Sequence, residues 1–357
     1  GNPAVSGETV VLTPGGYSAS ETSDTGYQAS AWGGDCDGAG NVTLALGENK
    51  TCTINNDDIA PTLTLVKTVL NDNGGTLGAG DFELFVDGNP VASGVPVDVQ
   101  AGGHFASETP NSSYMASDWG GDCDASGGVT LALAENKTCT ITNDDIAPTL
   151  TLVKNVVYDH GGTLEVGDFA LFINGNPASS GVPATLSSGD YIASETTVSG
   201  YAPSTWGGDC DTAGNVNLMI GDNKTCTITN DDIGATLTLV KTVTNDDGGT
   251  LGVGDFELLI DGNPVSSGVP VELEPGDHSA SETEISGYAA SDWGGDCDAG
   301  GNISMALGDN KTCTITNDDI APTLTLIKTV TNDDGGALGV GDFELFIDAI
   351  PASSGVP

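Results

Sequence analysis

Eight cysteines offer the most definite chemistry in this sequence. Cys36, Cys123, Cys210 and Cys297 stand in WGGDCD contexts, and Cys52, Cys139, Cys226 and Cys313 follow each of them sixteen positions later in KTCTI contexts. That spacing is too wide for a CxxC zinc or redox motif. A pair recurring identically in successive small units reads as a disulfide formed in an oxidising compartment, with free buried thiols as the alternative.

A second constellation comes from strand alternation, which places every other side chain on one face. It aligns Leu63, Leu65 and Lys67; His104, Ala106 and Glu108; and Cys139, Ile141 and Asn143. A lysine, a glutamate and an asparagine thereby converge on an apolar core. The set returns as Lys154, Glu195 and Asn230 and as Lys241, Glu282 and Asn317, while Glu21 with Asn56 lacks the lysine and Lys328 stands alone. A buried Lys–Glu ion pair capped by Asn would satisfy these groups, as would a lysine that reaches out to the rim.

Other signals are weaker. Loops such as NDNGGTLGAGD and the NDDI segments gather oxygen ligands suited to Ca2+, with Asp144, Asp145, Asp231 and Asp232 as candidates, although Asn, Asp and Gly are also ordinary turn residues. No cofactor is required by anything in the chain. Sequons at Asn49, Asn136, Asn223 and Asn310, each NKT, and at Asn41, Asn111 and Asn302 are candidate glycan carriers. His104 and His278 share one repeat position, filled elsewhere by Tyr17 and Tyr191, and are expected to pack there. No Ser/His/Asp set, carboxylate cleft, phosphate loop or zinc spacing is present, so the expectation is that the chain is not an enzyme.

The elements that must position these groups repeat. Trp32, Trp119, Trp206 and Trp293 and both cysteine series step by 87 residues along a chain of 357. A fixed period of this length marks an array of small domains, each burying its own core. Within 61–147, TLTLVKTV, FELFVDG, PVDVQAGGHFASET, YMASDWGGDC, GGVTLALAENK and TCTITND read as about seven strands, GNPVASGVP as a loop, and nothing has helical period. The fold class expected is all-β, a tandem array of β-sandwiches. Cuts at the IAPTLTL junctions give whole repeats at 61–147, 148–234 and 235–321. Residues 1–60 form a partial repeat lacking its first strands, and 322–357 a partial repeat supplying them. Pro61, Pro148 and Pro322 stiffen the short junctions, with Ala235 in the equivalent place. The two partial repeats arise either from cutting a longer array or from a head-to-tail scheme in which one copy's end completes the next copy's beginning.

Fifty-one acidic residues against eight basic ones, for a formal charge of -43, exclude nucleic acid and anionic membranes as partners and leave a self-repelling surface. No apolar run is long enough to span a bilayer.

TLTLVKTV, GDFEL, GDYIASET followed by SGY, and TCTITNDD resemble the prealbumin-like repeat domains related to the collagen-adhesin B-type domains of bacterial surface proteins and pilins. The resemblance covers essentially the whole chain and implies prealbumin-like, Ig-like sandwiches on the extracellular surface of a microbe. It implies a structural subunit of a filament or appendage whose partners are copies of itself, or else an adhesin or stalk whose loops bind Ca2+ or glycan. It also implies that a first-strand lysine can bond to a last-strand asparagine with a buried acid assisting and ammonia leaving. The matching sets here are Lys67 with Asn143, Lys154 with Asn230 and Lys241 with Asn317, assisted by Glu108, Glu195 and Glu282. Lys328 would reach Asn56 of a neighbouring copy beside Glu21.

Overall fold

A computed structural model describes residues 3–355, and the chain divides into two compact units. One comprises Gly1–Leu152, Gly181–Ala193 and Gly208–Cys226; the other comprises Val153–Ser180, Ser194–Gly207 and Thr227–Pro357.

The first unit holds one complete sandwich. Its opening strand, Thr62–Leu70, is rich in β-branched residues and alternates strictly in burial, with Leu63, Leu65 and Lys67 inward. It pairs in parallel with the closing strand Asn136–Asp145, in a register that sets Cys139 beside Leu65 and Ile141 beside Lys67. Val97–Asp98 flanks the opening strand, and Tyr114–Ala116 and Gly120–Gly121 flank the closing one, completing a five-stranded sheet. The facing sheet has four strands in the order Gly128–Leu131, Gly102–Glu108, Leu84–Val86, Asn89–Val91. Leu63, Leu65, Leu84, Ala106, Val129, Leu131, Cys139 and Ile141 fill the space between the sheets, with Trp119 packed against them. Seven of the strands have three residues or more, six of them in segments that the sequence pattern reads as strands. Asn89–Val91, expected as loop, is a strand, because Asp87 and Gly88 both adopt positive φ and turn the chain straight back onto Leu84–Val86.

The second unit holds a sandwich of the same plan, from Ala235–Thr244 to Asn310–Asp319, again parallel neighbours. The middle repeat has the same elements in the same order, from Thr149–Val157 to Asn223–Asp232.

The WGG motif has a specific structural reason. The second glycine, Gly121, has φ +72, and a Cβ there would lie 2.4 Å from the Thr138 carbonyl oxygen; Gly34, Gly208 and Gly295 repeat this geometry. Only glycine lets the chain approach the closing strand closely enough to bring the next cysteine under it.

The partial repeats behave differently from their sequence pattern. Residues 322–339 form no strand within the single chain, although TLTLIKTV nearly duplicates TLTLVKTV. Leu324 is exposed where its counterparts Leu63, Leu150 and Leu237 are buried. A strand needs a partner, and no closing strand stands beside this one among the described residues. Only Leu345–Ile347 and Ile350–Ala352 pair there. At the other end, Gly15–Ser18 pairs with Asn41–Leu44 and Tyr27–Ala29 with Asn56–Asp58. Residues 1–2 and 356–357, which the two partial repeats include, lie outside the described residues.

Candidate functional site

Each whole repeat carries an inward lysine at the centre of its opening strand. Lys67 Nζ lies 2.5 Å from Glu108 Oε2, Lys154 Nζ 2.6 Å from Glu195 Oε2, and Lys241 Nζ 2.6 Å from Glu282 Oε2. The lysine side chains have no exposed surface. Burial pushes their amines below the ordinary lysine range, against the opposing hydrogen bond and charge of the glutamate. Each ammonium also lies over a phenylalanine ring, 4.5 Å from the centroids of Phe82 and Phe169 and 4.6 Å from that of Phe256. Those rings meet Tyr114, Tyr201 and Tyr288 edge-on at 5.3 Å. The phenylalanines, from the GDF segments, stand just after a short 3-10 turn and ahead of the strand, although the sequence pattern reads FELFVDG as strand from Phe82 on.

Asn143, Asn230 and Asn317 are buried on the closing strands, Asn143 being two residues beyond the register partner of Lys67. Oδ1 of all three, and Oε1 of Glu108 and Glu195, are buried without a hydrogen-bond partner. Buried acceptors left unmet are costly. In the first unit, Glu108 and Asn143 also line a cavity of about 360 Å3 open to the surface beside Phe105, Tyr114 and Trp119.

The partial repeats hold separate parts of this set. Asn56 Nδ2 donates to Glu21 Oε2 at 3.1 Å. Lys328 lies 4.4 Å from the Phe343 ring centroid and has no carboxylate within ion-pair distance among the described residues.

The cysteines pair within repeats as Cys36–Cys52, Cys123–Cys139, Cys210–Cys226 and Cys297–Cys313.

The acidic candidates are spent on the backbone. Both Asp145 oxygens accept amide hydrogens from Asn73, and Oδ2 accepts one from Gly75, tying the NDNGG loop to the closing strand. Asp232 does the same for Asp159, His160 and Gly162. Despite desolvation, these donors hold both carboxyls below the usual aspartate range. Three groups, Asp72 with Asp144 and Asp145, Asp159 with His160 and Asp232, and Asp246 with Asp247 and Asp319, bring ligand atoms within 4.8 Å of one another; Asp231 belongs to none.

Among the sequons, Asn136, Asn223 and Asn310 are exposed and accept a hydroxyl hydrogen from Thr62, Thr149 and Thr236 through Oδ1. Asn49 is exposed. Asn41 and Asn302 turn Nδ2 toward Asp37 and Asp298, and Asn111 is half-buried, its Oδ1 accepting from the Ser113 amide.

His104 and His278 do more than pack. His104 Nδ1 meets Asp87 Oδ2 at 2.6 Å and Nε2 meets the Gln100 carbonyl at 2.7 Å; His278 repeats this with Asp261 and Glu274. Two acceptors favour the doubly protonated ring, and the Asp87 bond, then that to Gln100, raises the His104 pKa above its ordinary value.

Such repeats define a class: disulfide-stapled β-sandwiches whose first and last strands run side by side in parallel over a buried Lys–Glu pair. The Prealbumin-like fold domain family matches residues 1–54, 58–141, 145–228 and 232–315, and the chain belongs to that family. No curated protein matches it. Among solved structures, the Bacillus anthracis TIE protein is 15% identical, with 79% of this chain and 55% of that one covered and a TM-score of 0.43. The pilus adhesin SpaC of Lactobacillus rhamnosus GG, in its open conformation, is 13% identical over 78% and 46%, TM-score 0.23. Two B repeat units of the collagen-binding protein of Staphylococcus aureus are 13% identical over 83% and 94%, TM-score 0.19. The chain thus spans about half the length of the first two proteins. Among the described residues no helix is long and apolar enough to cross a membrane.

Proposed function

We propose that this chain is a structural subunit of an extracellular microbial surface appendage, a string of tension-bearing domains locked internally by bonds from Lys67 to Asn143, Lys154 to Asn230 and Lys241 to Asn317. The observation that carries this reading is the shared buried site: an amine weakened as a base by burial, a carboxyl within hydrogen-bond reach of it, and a carboxamide with an unmet oxygen on the neighbouring parallel strand. In the reaction, the neutral lysine amine attacks the Asn Cγ, a proton relayed by the glutamate reaches the departing nitrogen, and an amide and ammonia result. Four intramolecular disulfides support an oxidising, extracellular location. Intact mass spectrometry of the reduced chain tests the bonds: one ammonia is missing for each whole repeat, and a full-length mass refutes them.

The finer reading concerns assembly. Residues 322–357 of one copy insert beside residues 1–60 of the next, delivering Lys328 to the Glu21–Asn56 pair and an opening strand to an open sheet edge. The exposed Leu324 would then become core, as Leu63, Leu150 and Leu237 are. Light scattering of the 357-residue chain at rising concentration should give open-ended oligomers, joined covalently on denaturing gels through Lys328. A monomer at every concentration refutes this reading.

A further inference from the structure

In repeat 61–147 the closing strand lies between two neighbours that differ in what they bring to Asn143. On one side runs the opening strand, which carries Lys67. On the other lies Tyr114–Ala116, where Ala116 is the antiparallel partner of Asn143, so that their side chains share one face. Asn143 is 1% exposed, whereas Ala116 beside it is open to solvent. The inner face of the sheet therefore meets the surface one side chain away from the carboxamide, on the flank opposite the lysine.

The cavity of about 360 Å3 occupies that flank. Its wall includes Glu108 and Asn143 and runs outward past Ala116, Ser117 and Ser126, all three exposed. Glu108 Oε1 and Asn143 Oδ1 are the buried acceptors of this wall without a hydrogen-bond partner, and the Glu108 side chain is 7% exposed. Two such acceptors suit a small molecule that carries N–H donors.

The chemistry calls for an outlet at this place. Joining an amine to a carboxamide yields another amide and ammonia, an exchange of like bonds with little driving force of its own. Ammonia kept beside the new amide would attack it with the advantage that any held reactant has, an effective molarity on the order of 10⁵ M or more. Escape to solvent forfeits that advantage and makes the step one-way.

We propose that this cavity is an amine port: ammonia released from Asn143 leaves through it, and a small primary amine entering by it takes the place of Lys67 when the lysine is removed. The port rests on the bond proposed between Lys67 and Asn143. With methylamine, the entering nitrogen bonds to Asn143 Cγ, the Cγ–Nδ2 bond breaks, and one amine proton passes by way of Glu108 to the departing nitrogen. The products are an N-methyl carboxamide and ammonia.

Two measurements on the 357-residue chain test the port, after the wild-type mass has shown whether the Lys67–Asn143 peptide pair has lost ammonia. In Lys67→Ala, with folding checked by resistance of the Cys123–Cys139 bridge to reductant, methylamine should add to the Asn143 peptide with loss of ammonia, and Ala116→Phe in the same background should slow that uptake several-fold. With Lys67 intact, Ala116→Phe should slow ammonia loss from repeat 61–147 several-fold after cell-free synthesis, a readout that needs no lysine variant to fold. A wild-type chain that keeps this ammonia refutes the bond, and the port with it. If the wild-type chain has lost it, the bond stands and the port alone is overturned when folded Lys67→Ala takes up no methylamine, or when Ala116→Phe slows neither reaction.

Discussion

Replacing Cys297 and Cys313 together by alanine removes one staple without leaving a thiol. The cysteines are 16 residues apart, so chain entropy alone assigns the bridge about 3 kcal/mol. Both sulfurs also pack in the core with Leu237, Leu239, Ile303 and Ile315, and truncating them adds about 1 kcal/mol of lost contact. Taking roughly 2.5 kcal/mol per molar as the guanidinium slope for a domain of this size, the midpoint should fall by about 1.6 M. Trp293 packs against that core and reports on this repeat alone once Trp32, Trp119 and Trp206 are changed to phenylalanine. A parallel chain keeping only Trp119 supplies the control. An unchanged Trp293 midpoint, or an equal fall at Trp119, would refute the view that each repeat is stapled and folds around its own core.

Glu282→Ala should leave one more ammonia on the chain and destabilise repeat 235–321 by about 3–5 kcal/mol, since Lys241 keeps its burial and loses its partner; intact mass and Trp293 melting read the two effects. Gly121→Ala should cost on the order of 1–3 kcal/mol through its φ of +72 and the Thr138 carbonyl 2.4 Å from the added Cβ, whereas Gly94→Ala, with φ +76 but open space, should cost less in the same denaturation assay. The stability that His104 gains from Asp87 and Gln100 is fully present below pH 6.5 and lost as pH rises through the raised value. Thermal melts should therefore show His104→Tyr, which copies Tyr191 with its hydroxyl donating to Ser187, abolishing that dependence in repeat 61–147.

Period, inward faces and the cysteine pairs were legible because strand alternation is local geometry: once Leu63 and Leu65 point inward, Lys67 must follow. The Lys–Glu contact follows from that facing. What the sequence concealed depended on partners distant in the chain. TLTLIKTV has the β-propensity of its three homologous segments and forms no strand, since pairing rather than propensity makes one. The acids of the NDD segments looked like surface turn residues or metal ligands; Asp145 is instead buried, because the loop it anchors lies some seventy residues earlier. His104 looked like filler for the same reason: Asp87, its partner, stands on a hairpin turn of another strand.

The parallel pairing of Thr62–Leu70 with Asn136–Asp145 has a mechanical meaning. Chain enters the repeat at Thr62 and leaves at Asp145, at opposite ends of the same pair of strands. Pulling on the array therefore slides one strand along the other, and the hydrogen bonds between them must rupture together rather than one after another as in a zipper. A covalent cross-link from Lys67 to Asn143 would lie across that seam. Force would then pass from residue 67 directly to residue 143, and the seventy-five residues between them, with both sheets and the disulfide they contain, would never be stretched.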